Sequence, residues 1–221
     1  MPVTKSSTRK VTVLLLISTH CAHCAAALQI LTGMVKQGLI AKLEIINLEQ
    51  SPEKAKQMGV RSVPWMQIGD FVFEGVLSQQ EIHSWVSRAA DPQGERDYLQ
   101  ALLLTGKVND VVGYIRKRPQ ALKVISGFLD DADAKINLKL GVGVVFETFA
   151  SEAVMDDVIP DLIHYLEHND PRVRADACHY LALSGRKALI PDIRKCLQDE
   201  DRDVREIAAD GLWQLQDRDS S

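Results

Sequence analysis

The segment VTVLLLISTHCAHCAAALQILTGMV (residues 11–35) decides how the first part of this chain folds. It joins a nearly continuous apolar run to a pair of cysteines three positions apart, Cys21 and Cys24. An apolar run of this length predicts a strand buried on both faces, over residues 10–18. The apolar residues that follow recur with helical spacing and predict a helix over residues 21–37. The cysteine pair therefore stands where a buried strand gives way to a helix.

Three interpretations of the cysteine pair follow from the residues alone. A structural zinc site needs two further ligands at suitable spacing, and the nearest alternative, Cys178 with His179, lies far along the chain. Buried cysteines without reactivity are also common. The third interpretation is a redox dithiol, because the helix N-terminus carries unpaired N–H groups and partial positive charge that stabilise a thiolate at Cys21. Cys24 lies one turn further, within reach to resolve a mixed disulfide, and we favour this third interpretation.

Two histidines flank the cysteines and are expected to modulate them. His20 directly precedes Cys21, and His23 lies between the two cysteines. A protonated imidazole beside a thiolate adds positive charge that stabilises it.

The elements that follow alternate between strands and helices. They are a strand over residues 41–48, a short helix from residue 51, strands over 64–68 and 71–76, and a helix over 78–90 that opens with a capping box. The order β-α-β-α-β-β-α predicts a mixed sheet with helices on its faces. The turn-rich residues 91–96 are expected to be a linker, and residues 1–9 are expected to be a flexible tail.

Four features of this first part resemble the thioredoxin-fold family in its minimal, glutaredoxin-like size. They are the strand VTVLLLIS, the C-x-x-C of Cys21 and Cys24, the dipeptide Val63-Pro64, and the G-V-L-S at residues 75–78. The resemblance covers about residues 10–90. It implies that Cys21 is the nucleophile, that Cys24 is the resolving cysteine, and that a cis Pro64 packs against the dithiol. It also implies that the backbone of Val63 pairs with an extended segment of the substrate.

The chain departs from thioredoxins at three positions around the motif. Thioredoxins have a Trp before the first cysteine, where this chain has His20, and a buried Asp six positions before it, where this chain has Leu15. Ala22 stands in place of the Pro inside the motif. His23 before the second cysteine is similar to protein disulfide isomerase, and Thr19-His20 is similar to the N-terminal domain of the alkyl hydroperoxide reductase flavoprotein.

From residue 97 to residue 221 the chain predicts helices only, and it contains a repeat. The segment VIPDLIHYLEHNDPRVRADACHYLAL from Val158 matches LIPDIRKCLQDEDRDVREIAADGLWQL from Leu189. The identical pairs are Pro160 and Pro191, Asp170 and Asp201, Val173 and Val204, Arg174 and Arg205, Ala177 and Ala208, and Leu181 and Leu212. Each unit predicts two amphipathic helices joined by an acidic turn. Because one unit cannot bury its own apolar face, the units must stack into an α-solenoid.

The pattern D-x-x-V-R-x-x-A at residues 170–177 and 201–208 resembles HEAT-like repeats, including the short form found in phycobilin-lyase-type proteins. The resemblance covers roughly residues 129–215. It implies a surface that docks a protein partner or client.

Together the two parts predict a thiol–disulfide oxidoreductase whose solenoid directs the dithiol to a client protein. Such a protein needs no organic cofactor and no metal, but a recycling reductase or glutathione must restore the dithiol. The alternative is a non-catalytic interaction scaffold, or a redox-sensing adaptor, with a thioredoxin-like domain.

Composition and charge exclude two classes of partner. The formal net charge of −4 argues against a nucleic-acid binder, which relies on phosphate contacts. No stretch approaches the roughly 20 apolar residues that span a membrane. Lys5, Arg9 and Lys10 before the apolar run are similar to a signal peptide, but small residues come only after the polar STHCAHC. We therefore expect a cytoplasmic protein that binds neither nucleic acid nor membrane.

Polar and sulfur-bearing residues of the repeats are expected to be structural. Cys178 and Cys196 fall on apolar stripes and are predicted to lie in the core. His164 and His168, four positions apart, predict a solvated helix face rather than a metal site. Four arginines are predicted to pair with the turn residues Asp170 and Asp201. They are Arg172, Arg174, Arg202 and Arg205.

Overall fold

The computed structural model describes residues 10–131 and 134–217, so the predicted tail at residues 1–9 lies outside the described residues. The chain divides between Tyr98 and Leu99 into two compact units. Within the described ranges, no helix combines the length and the apolar character that crossing a membrane requires.

The first unit contains one mixed sheet and three helices before its boundary. Its strands are β1 (Thr12–Ile17), β2 (Lys42–Asn47), β3 (Trp65–Ile68) and β4 (Phe71–Glu74), and its helices are α1 (Ala22–Lys36), α2 (Pro52–Met58) and α3 (Gln79–Ala90). The sheet order is β2-β1-β3-β4. β1 is parallel to β2 and antiparallel to β3, and β3 is antiparallel to β4. The predicted order β-α-β-α-β-β-α is confirmed.

The apolar run forms β1 because this strand lies inside the sheet and is covered on both faces. Leu15 and Leu16, which point to opposite faces, are both 0% exposed. Leu15 belongs to the same core as Leu31 of α1 and Ile82 of α3. A strand in this position needs apolar side chains in succession, which explains why the pattern does not alternate.

The strand register brings three loops to one edge of the sheet. Ile17 at the end of β1 is paired with Asn47 at the end of β2. Leu16 is paired with Trp65, the first residue of β3. The segments after β1, after β2 and before β3 therefore meet at the edge where the cysteine pair lies.

Helix α4 (Gly94–Leu104) begins inside the segment 91–96 that the sequence suggests as a linker. Tyr98 on this helix stacks on Phe71, with ring centroids 4.6 Å apart. Its hydroxyl donates to the Val72 carbonyl and accepts from the Val72 N–H, both at 3.0 Å. This aromatic contact with the edge strand β4 gives residues 94–98 a helical role that a turn-rich composition does not reveal.

The second unit is helical throughout its described residues. Its further helices are α5 (Val108–Lys117), α6 (Leu122–Ser126), α7 (Ile136–Phe149), α8 (Ile159–Tyr165), α9 (Pro171–Leu183), α10 (Ile190–Lys195) and α11 (Arg202–Asp217). Helices α8 and α10 begin 31 residues apart, at Ile159 and Ile190. Helices α9 and α11 begin at Pro171 and Arg202, which are also 31 residues apart. The predicted repeat of helix pairs is confirmed.

Equivalent arginines close the turn of each repeat. Arg174 donates to the carbonyl oxygens of His168 and Asn169 at 2.8 and 3.1 Å. Arg205 donates to the carbonyl oxygens of Asp199 and Glu200, 31 residues on, at 2.7 and 2.8 Å. The same residue type thus satisfies the same backbone groups in both repeats.

The predicted arginine pairing is right at one position and wrong at another. Arg172 pairs with Asp170 at 2.6 Å. Arg174 pairs instead with Asp199 of the following turn at 2.8 Å, and both side chains are largely buried. The reason is that stacking places the turn of the next repeat beside Arg174, a neighbour that lies 25 residues away in sequence.

Candidate functional site

The cysteine pair lies at the start of α1 and is joined by a disulfide in this structure. Cys21 is the N-cap of the helix, with an extended backbone conformation (φ −84°, ψ 103°). Its Sγ accepts a hydrogen bond from the backbone N–H of Cys24 at 3.1 Å. The two Cα atoms are 5.3 Å apart and the sulfurs are bonded to each other. The sulfur of Cys21 therefore occupies the position of a helix-capping acceptor.

The two cysteines differ in their exposure to solvent. Cys21 is partly exposed, whereas Cys24 is only 3% exposed. Ala22 and His23, between them, are both exposed. An approaching molecule therefore meets Cys21 first, while Cys24 is shielded one turn inside the helix.

The loop before the cysteines is held by the end of the neighbouring parallel strand. The backbone N–H of Thr19 donates to Glu49 Oε1 at 2.9 Å. Asn47 Nδ2 donates to Thr19 Oγ1 at 3.1 Å, and the N–H of Glu49 donates to Asn47 Oδ1 at 2.9 Å. These bonds fix the backbone of the residues that lead into Cys21.

Glu49 also lies beside His20. Its Oε1 is 3.9 Å from His20 Nδ1, and the His20 side chain is 91% exposed. The hydrogen bonds from the Thr19 side chain and backbone lower the pKa of Glu49, with a smaller contribution from the charge of His20. His20 therefore faces a carboxylate as well as solvent.

Glu49 and Thr19 are functional-site residues that the sequence interpretation missed. A signal was present, because the carboxyl ends of two parallel strands lie at the same edge of a sheet. A polar residue just after the second strand is therefore a neighbour of the loop after the first. The C-x-x-C pattern drew attention to the cysteines and away from this rule.

The peptide bond between Val63 and Pro64 is cis, as the resemblance implied. Pro64 is buried and Val63 is half-buried. The carbonyl of Pro64 accepts from the N–H of Gly75 at 2.9 Å, which ties it to the end of β4. Among the residues that the structure describes, the backbone N–H and C=O of Val63 have no hydrogen-bond partner.

Glu74 holds the segment that leads into this dipeptide. Its Oε1 accepts from the N–H of Arg61 at 2.9 Å and from the N–H of Ser62 at 2.6 Å. No local pattern in the sequence points to Glu74, because its partners lie 12 and 13 residues earlier and meet it only through the hairpin.

The predicted site residues occupy a common edge of the sheet. Cys21 and Cys24 are bonded, and His20 and His23 flank them. The register of β1 and β3 places the segment of Val63 and Pro64 at the edge where the helix with the cysteines begins.

The structure brings no metal-like cluster to the candidate histidines of the repeats. Across residues 10–131 and 134–217, no group of three or more His, Cys, Asp or Glu side chains could hold a metal ion. His168 Nε2 lies 3.0 Å from Asp130 Oδ1, and its Nδ1 accepts from the N–H of Asp170 at 3.0 Å. His168 is thus committed to the turn of its own repeat.

Two family models match the chain in separate segments. The model described as Thioredoxin domain matches residues 9–87. The model described as HEAT repeats matches residues 152–221. No curated protein matches this chain. The chain therefore carries a thioredoxin domain, which holds the Cys21–Cys24 pair, followed by HEAT repeats.

Proposed function

We propose that this protein is a thiol–disulfide oxidoreductase that uses Cys21 and Cys24 and docks a protein client through its HEAT repeats. In the reducing direction the Cys21 thiolate attacks a client disulfide, a mixed disulfide forms, and one client thiolate leaves. Cys24 then attacks Cys21 Sγ, which releases the second client thiolate and leaves the Cys21–Cys24 disulfide. Two electrons pass from the dithiol to the client, and the reverse sequence oxidises a client dithiol.

The observation that carries the proposal is the position of Cys21. Its sulfur caps α1 and accepts an N–H bond at 3.1 Å, so the helix stabilises negative charge at the attacking atom. No acidic residue lies in the first turn of the helix to oppose that effect. Cys24 is nearly buried and within bonding distance, which suits a thiol that reacts only with the sulfur beside it.

The loop of Val63 and Pro64 supports the proposed binding of an extended client segment. The N–H and C=O of Val63, which lack partners among the described residues, offer one donor and one acceptor to a passing backbone. Glu74 holds the preceding amides, so the loop does not have to be ordered when the client binds.

The HEAT repeats suggest protein–protein interaction in general, because stacked helix pairs present an extended surface. We propose that this surface binds the client or a second protein partner. A reductase or glutathione recycles the dithiol, and neither an organic cofactor nor a metal takes part. We further propose a cytoplasmic location without nucleic-acid or membrane partners. It is supported by the net charge of −4 and by the apolar run forming strand β1 of the sheet.

A redox-sensing adaptor is the second candidate, and Leu15 is the observation that favours it. This residue stands where thioredoxins bury an Asp that helps to deprotonate the second thiol. It is 0% exposed in an apolar core. Without a proton acceptor there, Cys24 reacts more slowly, which suits a switch better than a rapid catalyst.

The deciding experiment measures the reduction potential and the turnover of the full-length chain. The Cys21–Cys24 pair is equilibrated in glutathione buffers and read by thiol alkylation and mass spectrometry, and insulin reduction is then assayed. We expect a reversible two-electron transition between roughly −180 and −300 mV and turnover that Cys21→Ser abolishes. Cys196→Ser is the matched control and should retain activity. A reversible transition without turnover would favour the sensor, and no transition would refute both candidates.

A further inference from the structure

A second pair of cysteines lies inside the HEAT repeats. Cys178 is on α9, and Cys196 opens the short 3-10 turn Cys196–Gln198 that follows α10. Cys178 is 0% exposed and Cys196 is 6% exposed, so the predicted core location is confirmed. Helices α9 and α10 pack against each other. The two thiols meet at this contact and share a hydrogen bond.

The shared hydrogen bond makes the two thiols unequal. It raises the pKa of Cys178, which burial raises further. It lowers the pKa of Cys196, against an opposing contribution from burial. Cys178 therefore keeps its proton, and Cys196 is the sulfur with more thiolate character.

We propose that Cys178 and Cys196 form a second dithiol, which hydrogen peroxide oxidises to an intrachain disulfide that cross-links α9 to the turn after α10. This inference goes beyond the proposed function and does not rest on it. Packing alone would be served by any small apolar side chain. Two cysteines with their sulfurs in contact across a helix interface also meet the first requirement for forming a disulfide.

The oxidation proceeds in two balanced steps. The Cys196 thiolate attacks one oxygen of hydrogen peroxide, the O–O bond breaks, and hydroxide leaves, so that Cys196 becomes a sulfenic acid. The Cys178 sulfur then attacks the Cys196 sulfur, the S–O bond breaks, and water leaves as the Cys178 proton is lost. In total two thiols and one peroxide give one disulfide and two waters.

Access to the buried pair comes from the shortness of the element that carries Cys196. Helix α10 has six residues and the turn after it has three. Elements this short open locally at lower cost than the long helices around them. Hydrogen peroxide is about as small as water, so it needs only a slight opening, whereas a protein disulfide would be excluded.

The test uses the full-length protein and needs no variant for its main readout. The reduced protein is exposed to graded hydrogen peroxide, free thiols are alkylated, and tryptic peptides are identified without reduction. Trypsin separates ADACHYLALSGR (residues 175–186) from CLQDEDR (residues 196–202), and it leaves Cys21 and Cys24 together in residues 11–36. The first cysteine pair is therefore an internal reference in the same digest.

We expect a cross-linked peptide that joins residues 175–186 to residues 196–202, forms more slowly than the Cys21–Cys24 disulfide, and disappears on reduction. Closing this loop should also raise the melting temperature by about 5 °C. Cys178→Ala should abolish both effects, and its near-ultraviolet circular dichroism shows whether it folds.

Two results would overturn the proposal. In the first, both thiols remain alkylatable at peroxide doses that fully oxidise the first pair. In the second, Cys196 is converted to sulfinic acid or cross-links two chains, without the intrachain peptide appearing.

Discussion

The two cysteine pairs of this chain share an element and differ in almost every other respect. Cys21 and Cys24 are three residues apart at the start of one helix, with Cys21 partly exposed. Cys178 and Cys196 are far apart in sequence, lie on different helices, and are both buried. The first pair is surrounded by polar groups that order its loops, and the second by apolar helix faces. Location at a helix N-terminus and access by a client thus distinguish a proposed catalytic dithiol from an internal one.

The comparison also shows what each pair requires of the rest of the fold. The first pair depends on carboxylates from two other strand ends, Glu49 and Glu74, which hold the loops around it. The second depends on the stacking of helices, helped by the buried ion pair between Arg174 and Asp199. Each dependence predicts what happens when it is broken.

The largest expected effect comes from the resolving cysteine. Cys24→Ser should reduce insulin turnover to background, because the mixed disulfide at Cys21 can no longer be released. Client proteins should then accumulate as reducible adducts, detectable by non-reducing electrophoresis. Cys196→Ser should have no effect on turnover and should trap nothing. Equal loss of turnover in both variants would show that the two pairs do not have separate roles.

The second effect concerns the ion pair beside the buried cysteines. Arg174→Ala leaves Asp199 buried without its partner, so the free energy of unfolding should fall by about 3 kcal/mol. It should also release the turn at Cys196 and speed its alkylation in the folded protein. Arg172→Ala, which removes an exposed pair with Asp170, should cost no more than about 1 kcal/mol. Urea denaturation followed by circular dichroism measures both, and similar losses would contradict the difference in burial.

A smaller effect is expected at Glu74. Glu74→Ala removes the acceptor for the N–H groups of Arg61 and Ser62, and the loop that carries Val63 loses its order. The KM for a protein substrate should rise about fivefold with little change in kcat. Glu74→Gln keeps an acceptor oxygen and should behave more like the unsubstituted protein. A change confined to kcat would mean that the loop does not bind the client.

The smallest effect is a pH dependence at Glu49. The Thr19 hydrogen bonds hold the pKa of this carboxyl below its ordinary value. Because a lowered pKa stabilises the folded state only while the group is ionised, the contribution is present near neutral pH. It is lost as the pH falls below about 4.3.

The amide resonance of Thr19 should report this titration in an NMR pH series. It should move at a pH below the ordinary range of a glutamate and should not move in Glu49→Gln. Amides near Cys178 should stay unchanged, because the acidic loop contact is confined to the first pair. A Thr19 amide that titrates in the variant as well would assign the effect to another group.

Much of the fold could be predicted because its signals are local. The apolar run, the helical spacing after Cys21 and the capping box at Ser78 each act within a few residues, and all appear in the structure. The 31-residue repeat is also legible in one dimension, because each unit repeats the same local pattern. The start of α4 at Gly94 was not, because Tyr98 stabilises it by contact with a strand edge.

By itself, then, the sequence determined the two kinds of architecture, the order of their elements and the place of the Cys21–Cys24 pair. Periodicity and capping are interactions between near neighbours, and a sequence records near neighbours directly. Only the tertiary structure decided that Glu49 and Glu74 hold the loops of the site, that Arg174 pairs with Asp199, and that Cys178 meets Cys196. Those contacts depend on strand register and helix stacking, which minimise exposed apolar area over the whole domain rather than along any one segment.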